Sequence, residues 1–163
     1  MLFNVSQLIQ EPIGSGRSFR LEGEPLELDG ATLLVKGEVD LLSTDGSILA
    51  TARLSVPVGS VCSDCTRDFE GGLSLTFSEE FWPEYDRSTQ SRVEIPEGRE
   101  GFRIVEGHLD LTEAVRQYVE MARPMRPSCG PNCVGVQAVP GPGHDSERDA
   151  RWGALEALRR DLD

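Results

Sequence analysis

The chain has 163 residues, 38% of them hydrophobic and 27% charged, which is enough length and apolar content for a folded core and excludes a disordered polymer. Its 28 acidic and 16 basic residues give a formal net charge of −12. That excludes a broadly basic nucleic-acid coat and favours a basic partner, leaving RNA contact to a local patch. No apolar run approaches the ~20 residues of a membrane span, and Met1–Ser6 carries no basic or apolar leader region, so the sequence predicts a cytoplasmic protein without a membrane segment.

Taken in chain order, residues 1–30 open with an apolar segment, Val5–Ile9, where Ser6 is placed to cap a brief helical turn, and Ser18–Glu22 reads as a strand. Residues 31–57 alternate with a period of two. Leu33, Val35, Gly37, Val39 and Leu41 share one parity; Ile48, Ala50, Ala52, Leu54 and Val56 do the same after Thr44-Asp45-Gly46-Ser47. This pattern predicts two half-buried antiparallel strands joined by a turn at Asp45-Gly46. A third strand runs through Leu73, Leu75 and Phe77 to Phe81. Residues 82–101 are rich in charge, proline and glycine and read as a loop, followed by a short strand at Phe102–Glu106.

Asp110-Leu111-Thr112-Glu113 is a helix start, with Asp110 as cap and Glu113 positioned to reach back to it. Leu111, Val115, Tyr118, Val119 and Ala122 form an apolar stripe at helical spacing over residues 111–123, and Pro124 ends the helix. The expected organisation is a globular domain over 1–135, a Gly/Pro linker over 136–147 and an amphipathic helix over 148–163 through Trp152, Leu155, Leu158 and Leu162. Strands followed by helices predict an α+β fold, with an antiparallel β-sheet or partial barrel, a long helix after the strands and a C-terminal helix.

The chemistry concentrates in four cysteines. Cys62-Ser63-Asp64-Cys65 follows the second predicted strand, and Cys129-Gly130-Pro131-Asn132-Cys133 follows the long helix. Each spacing lets two thiolates of one turn approach one ion, and four sulfurs complete a closed, tetrahedral, structural zinc site. The alternatives are a redox dithiol at Cys62 and Cys65, disulfides in an oxidising compartment, or unligated thiols. A thioredoxin-like dithiol belongs at a strand-to-helix junction, whereas this region reads as all β. No phosphate loop, nucleophile elbow or Ser/His/Asp set is present, so the expectation is a non-enzymatic protein with no small-molecule substrate.

Phe3–Gly14, Cys62–Cys65, Leu109–Gln117, Arg123–Cys129 and Asp149–Leu155 together, in this order, resemble the YceD family, bacterial and plastid proteins described as large ribosomal RNA subunit accumulation proteins. Many members follow the CxxxC element with a further CxxC; here Gln137 and Pro140 stand at those positions. The resemblance implies a role in accumulation or maturation of large-subunit ribosomal RNA, and supports Cys62, Cys65, Cys129 and Cys133 as one metal site.

Charge is unevenly distributed: residues 61–110 hold 12 acidic and 5 basic residues, whereas 111–135 hold 2 and 3. Arg116, Arg123 and Arg126 are therefore candidate RNA contacts beside the metal, although arginines at a helix end also serve to solvate it. Glu79, Glu80, Trp82, Glu84 and Tyr85 form a candidate seat for a basic ribosomal protein, with the aromatics as anchors, while core packing is the plainer use of Trp82.

Overall fold

A computed structural model describes residues 1–86, 91–95, 97–98 and 101–135. The linker expected over 136–147 and the helix expected over 148–163 lie outside the described residues.

The dominant feature is a five-stranded sheet in sequential order. It contains Gly16–Leu28 (β2), Ala31–Ser43 (β3), Ile48–Val61 (β4), Asp68–Pro83 (β5) and Phe102–Ile104 (β6). Two short strands, Leu2–Asn4 (β1) and His108–Asp110 (β7), pair separately, and Leu8–Gln10 forms a 3-10 turn. The period-two pattern has the expected cause. Val35, Val39, Leu41, Ala50, Ala52, Leu54 and Val56 all face one core with Leu75, Phe77 and Phe81, while Lys36, Glu38, Arg53 and Thr76 face solvent. The β3–β4 turn forms where expected, and Gly46 has the positive φ (+85°) that the turn requires.

The sheet is mostly antiparallel, but β6 pairs in parallel with β5, a departure from the antiparallel expectation. The strands also run longer than their clean alternation. β2 covers 13 residues because a bulge between Glu22 and Glu24 absorbs Gly23, and the alternation resumes beyond it. Pro25 fits there because β2 is the edge of the sheet, where an absent N–H removes no ladder bond.

Gly37 lets the sheet curl. It faces inward between Leu21 and Leu54 with φ +143°, and a Cβ there would lie 2.1 Å from the Arg53 carbonyl oxygen. A bend at this position brings β3 and β4 backbones into direct contact.

The single α-helix among the described residues, Thr112–Ala122 (α1), packs on the core face of the sheet against β5 and β2. Leu111, Ala114, Val115 and Val119 are buried. Ala122, expected on the apolar stripe, is exposed, and Ala114 takes the inward position instead. Tyr118 stacks on Phe77 at 4.1 Å between ring centroids, and its hydroxyl donates to Glu79 at 2.7 Å.

Two capping expectations are corrected. Asp110 does accept from the Thr112 amide at 2.9 Å, but Glu113 bonds Arg116 and Gln117 on its own helix rather than reaching back. The residue that precedes the 3-10 turn is Gln7, and the Ser6 hydroxyl donates to the Gly107 carbonyl. The helix ends at Arg123, whose backbone is extended before Pro124.

Candidate metal centre

The sulfurs of Cys62, Cys65, Cys129 and Cys133 all lie within 4.8 Å of one another. Two elements bring them together. β4 ends at Val61, and the chain turns back into β5 through Cys62–Arg67. In that turn Arg67 O accepts from Cys62 N at 2.9 Å and Cys62 O accepts from Thr66 N at 2.9 Å. Thr66 takes φ +58°, the left-handed geometry of a tight reversal. The second turn follows α1. Pro124 and Pro127 keep its approach extended, Gly130 adopts φ +115°, and Cys133 N donates to Gly130 O at 3.1 Å.

Two polar contacts join the turns apart from the sulfurs. Ser63 N donates to Pro127 O at 2.8 Å, and the Arg126 guanidinium pairs with the Asp64 carboxylate.

Distances test what this cluster can hold. Cys62 Sγ lies 3.7 Å from Cys133 Sγ, and Cys65 Sγ lies 3.7 Å from Cys129 Sγ. A disulfide needs about 2.05 Å, so these are separate thiols. Zinc–thiolate bonds of about 2.3 Å in a tetrahedron imply sulfur–sulfur edges of about 3.8 Å. The observed contacts match that edge, and no sulfur needs a large movement to reach a common centre.

The electrostatics divide the sulfurs into two kinds. The Cys129 amide, donating to Cys62 Sγ at 3.4 Å, together with the Asp64 amide, lowers the Cys62 pKa to about 6. The Arg67 amide and guanidinium lower Cys65. In contrast, hydrogen bonding to Cys133 and Cys62 pushes Cys129 up to about 12. At Cys133 the Gly135 amide and Cys129 pull downward, but burial and the Cys65 and Cys62 sulfurs outweigh them, and the net shift is upward. Each close pair therefore joins a sulfur whose pKa is lowered to one whose pKa is raised. A cation that displaces the thiol protons is bound by four negative ligands.

The supporting residues were less visible in the sequence. Asp64 sits inside the CxxC and Arg67 two residues beyond it, so their proximity was legible. Their pairing with Arg126 and the Cys65 sulfur depends on the fold.

The three candidate RNA contacts do not form one free cationic face. Arg116 bonds Glu113 and the Glu27 carbonyl oxygen, and Arg123 pairs with Asp29 at 2.8 Å, so both tie α1 to the end of β2. Arg126, with its side chain 77% exposed, stands apart beside the cysteines. The candidate partner residues also separate. Glu79 binds Tyr118, Trp82 is 5% exposed but lies outside the main core cluster, on the strand face opposite Phe81, and Tyr85 is 53% exposed. Glu80 and Glu84 are half-buried.

These observations define a protein with a curled β-sheet, one α-helix among the described residues and a four-cysteine cluster compatible with a metal site. The sequence profile of the family described as "Large ribosomal RNA subunit accumulation protein YceD" matches residues 50–159, and the chain belongs to that family. Both cysteine pairs fall inside the match. A protein of Mycobacterium tuberculosis (strain ATCC 25618 / H37Rv), described as uncharacterized, is 29% identical over 146 residues, covering 83% of this chain and 67% of that protein. An uncharacterized protein of Mycobacterium leprae (strain TN) is 26% identical over 131 residues, covering 77% of this chain and 58% of that protein. No solved structure matches the chain. No helix among the described residues is long and apolar enough to cross a membrane.

Proposed function

We propose that this chain is a non-enzymatic, cytoplasmic ribosome-biogenesis factor that supports accumulation or maturation of large-subunit ribosomal RNA. It acts by binding pre-ribosomal RNA, a basic ribosomal protein, or both. The family match across residues 50–159 carries the reading.

One structural zinc is held by Cys62, Cys65, Cys129 and Cys133. The 3.7 Å sulfur contacts and the all-thiolate donor set support that metal. Bound there, it supplies a closed cross-link between the β4–β5 turn and the segment after α1, with no open position for chemistry. A thiol oxidoreductase is the competing reading, favoured by the low pKa of Cys62. Cys62 itself is only 1% exposed, so exchange would have to begin at the half-buried Cys65, whose pKa the Arg67 amide and guanidinium also lower.

Arg126 is the most exposed of the three candidate RNA contacts, its side chain being 77% exposed against 42% for Arg116 and 35% for Arg123. Two measurements test the proposal. Metal analysis of reduced protein purified without added metal is expected to give about one zinc per chain; none would remove the zinc. Depletion in the source cell is expected to lower large-subunit relative to small-subunit ribosomal RNA, and an unchanged ratio would remove the ribosomal role.

A further inference from the structure

The four sulfurs are set for a second kind of closure besides a shared ion. Both 3.7 Å sulfur contacts, Cys62 to Cys133 and Cys65 to Cys129, cross from the β4–β5 turn to the segment after α1. A disulfide of about 2.05 Å needs each sulfur of a pair to advance by roughly 0.8 Å, which a modest side-chain rotation supplies. Contacts that use no sulfur already hold the turns at this spacing. Ser63 N donates to Pro127 O at 2.8 Å, and the Arg126 guanidinium pairs with Asp64. These contacts oppose separation of the two turns when an ion leaves.

The two pairs differ in access. Cys62 is buried, whereas Cys65 is half-buried and Cys129 is exposed. The Arg67 guanidinium hydrogen-bonds the Cys65 sulfur and stabilises negative charge on it. A small oxidant therefore meets the Cys65–Cys129 pair first, with Cys65 as the attacking sulfur and Cys129 beside it to complete the bond.

We infer that a hydroperoxide converts this cluster into two disulfides, Cys62–Cys133 and Cys65–Cys129, releasing the metal while the join between the β4–β5 turn and the segment after α1 persists. The inference rests on the metal reading above and gives that site a redox regulation. With hydrogen peroxide, the Cys65 sulfur attacks one oxygen; the O–O bond breaks, an S–O bond forms, and the other oxygen leaves as water. The Cys129 sulfur then attacks the Cys65 sulfenic acid; the S–O bond breaks, the S–S bond forms, and a second water leaves. Each bridge takes two electrons from its sulfurs, with two protons passing to the waters, and consumes one peroxide. Cys62 and Cys133 follow in the same way. The neutral bridges no longer offer the thiolates that zinc requires. Bridges within a turn, Cys62–Cys65 and Cys129–Cys133, would instead set the segment after α1 free.

The test treats the full chain, both zinc-loaded and zinc-free, with hydrogen peroxide and maps the bridges by mass spectrometry of unreduced digests. Both samples are expected to give the two cross-turn bridges, with Cys65–Cys129 forming first at limiting peroxide. The loaded sample is expected to release one zinc per two bridges to a chromogenic chelator, and dithiothreitol to restore four thiols and zinc uptake. The bridges span 64 and 71 positions, so the oxidised protein is expected to melt at least about 4 °C above the reduced, chelated protein. Bridges within a turn, the crossed pairing Cys62–Cys129 with Cys65–Cys133, a Cys62–Cys133 bridge that forms first, sulfinic acids without a bridge, or melting no higher than the chelated protein would overturn the inference. A chain that binds no zinc removes the metal reading, while the bridges of the zinc-free sample still decide the pairing.

Discussion

At the scale of single residues, Gly37 and Asp40 show how the outer face and the bend of the sheet are maintained. A side chain at position 37 meets both a positive φ and a backbone oxygen at 2.1 Å, neither of which a rotamer change relieves. Gly37→Ala is therefore expected to cost at least about 1–3 kcal/mol, read from the denaturant midpoint. Asp40 accepts from Ser18 at 2.5 Å and from Arg53 at 2.6 Å, and these partners hold its carboxyl below its ordinary 3.8. The folded state thus prefers the ionised form, so the unfolded chain binds more protons in acid. The stabilisation is present above about pH 4 and is lost as pH falls through the depressed folded value. Asp40→Asn is expected to flatten that part of the stability–pH curve and to leave the neutral-pH slope unchanged.

At the scale of elements, what was legible followed from burial on one side. Residues 33–41 and 48–56 announced their strands because alternate positions face the core without interruption. The second half of β2 was hidden by Gly23 and Pro25, whose bulge shifts the alternation by one residue. The parallel pairing of β6 spans three residues and leaves no periodic trace. Cysteine spacing revealed both cysteine turns, whereas the partners of Arg116 and Arg123 at the end of β2 lie 89 and 94 positions away, beyond the reach of local pattern. Those long-range contacts dock α1 on one side, and Tyr118 docks it on the other. Tyr118→Phe keeps the stacking on Phe77 and removes the bond to Glu79, so a loss of about 1 kcal/mol is expected in chemical denaturation. Tyr118→Ala removes both contacts and is expected to cost several times more.

At the scale of the whole molecule, the β4–β5 ladder separates two dissimilar ends. One has the four-cysteine cluster with Arg67 and Arg126 beside it, and the other has a groove lined by Trp82 and Tyr85. Charge reversal at Arg126 is expected to weaken RNA capture, readable by affinity capture at low and high salt.

The two cysteine pairs are 64 and 71 positions apart along the chain. An ion shared between them turns the intervening β5, β6, β7 and α1 into a closed ring. By the loop-entropy estimate for a cross-link of that length, closure disfavours the unfolded chain by about 4 kcal/mol. Chelation is accordingly expected to lower the melting temperature of the entire domain and to free the amides of residues 125–134 for hydrogen exchange first. On this account the metal acts as a circuit closure for more than a third of the chain, and its loss would be felt well beyond the cysteines themselves.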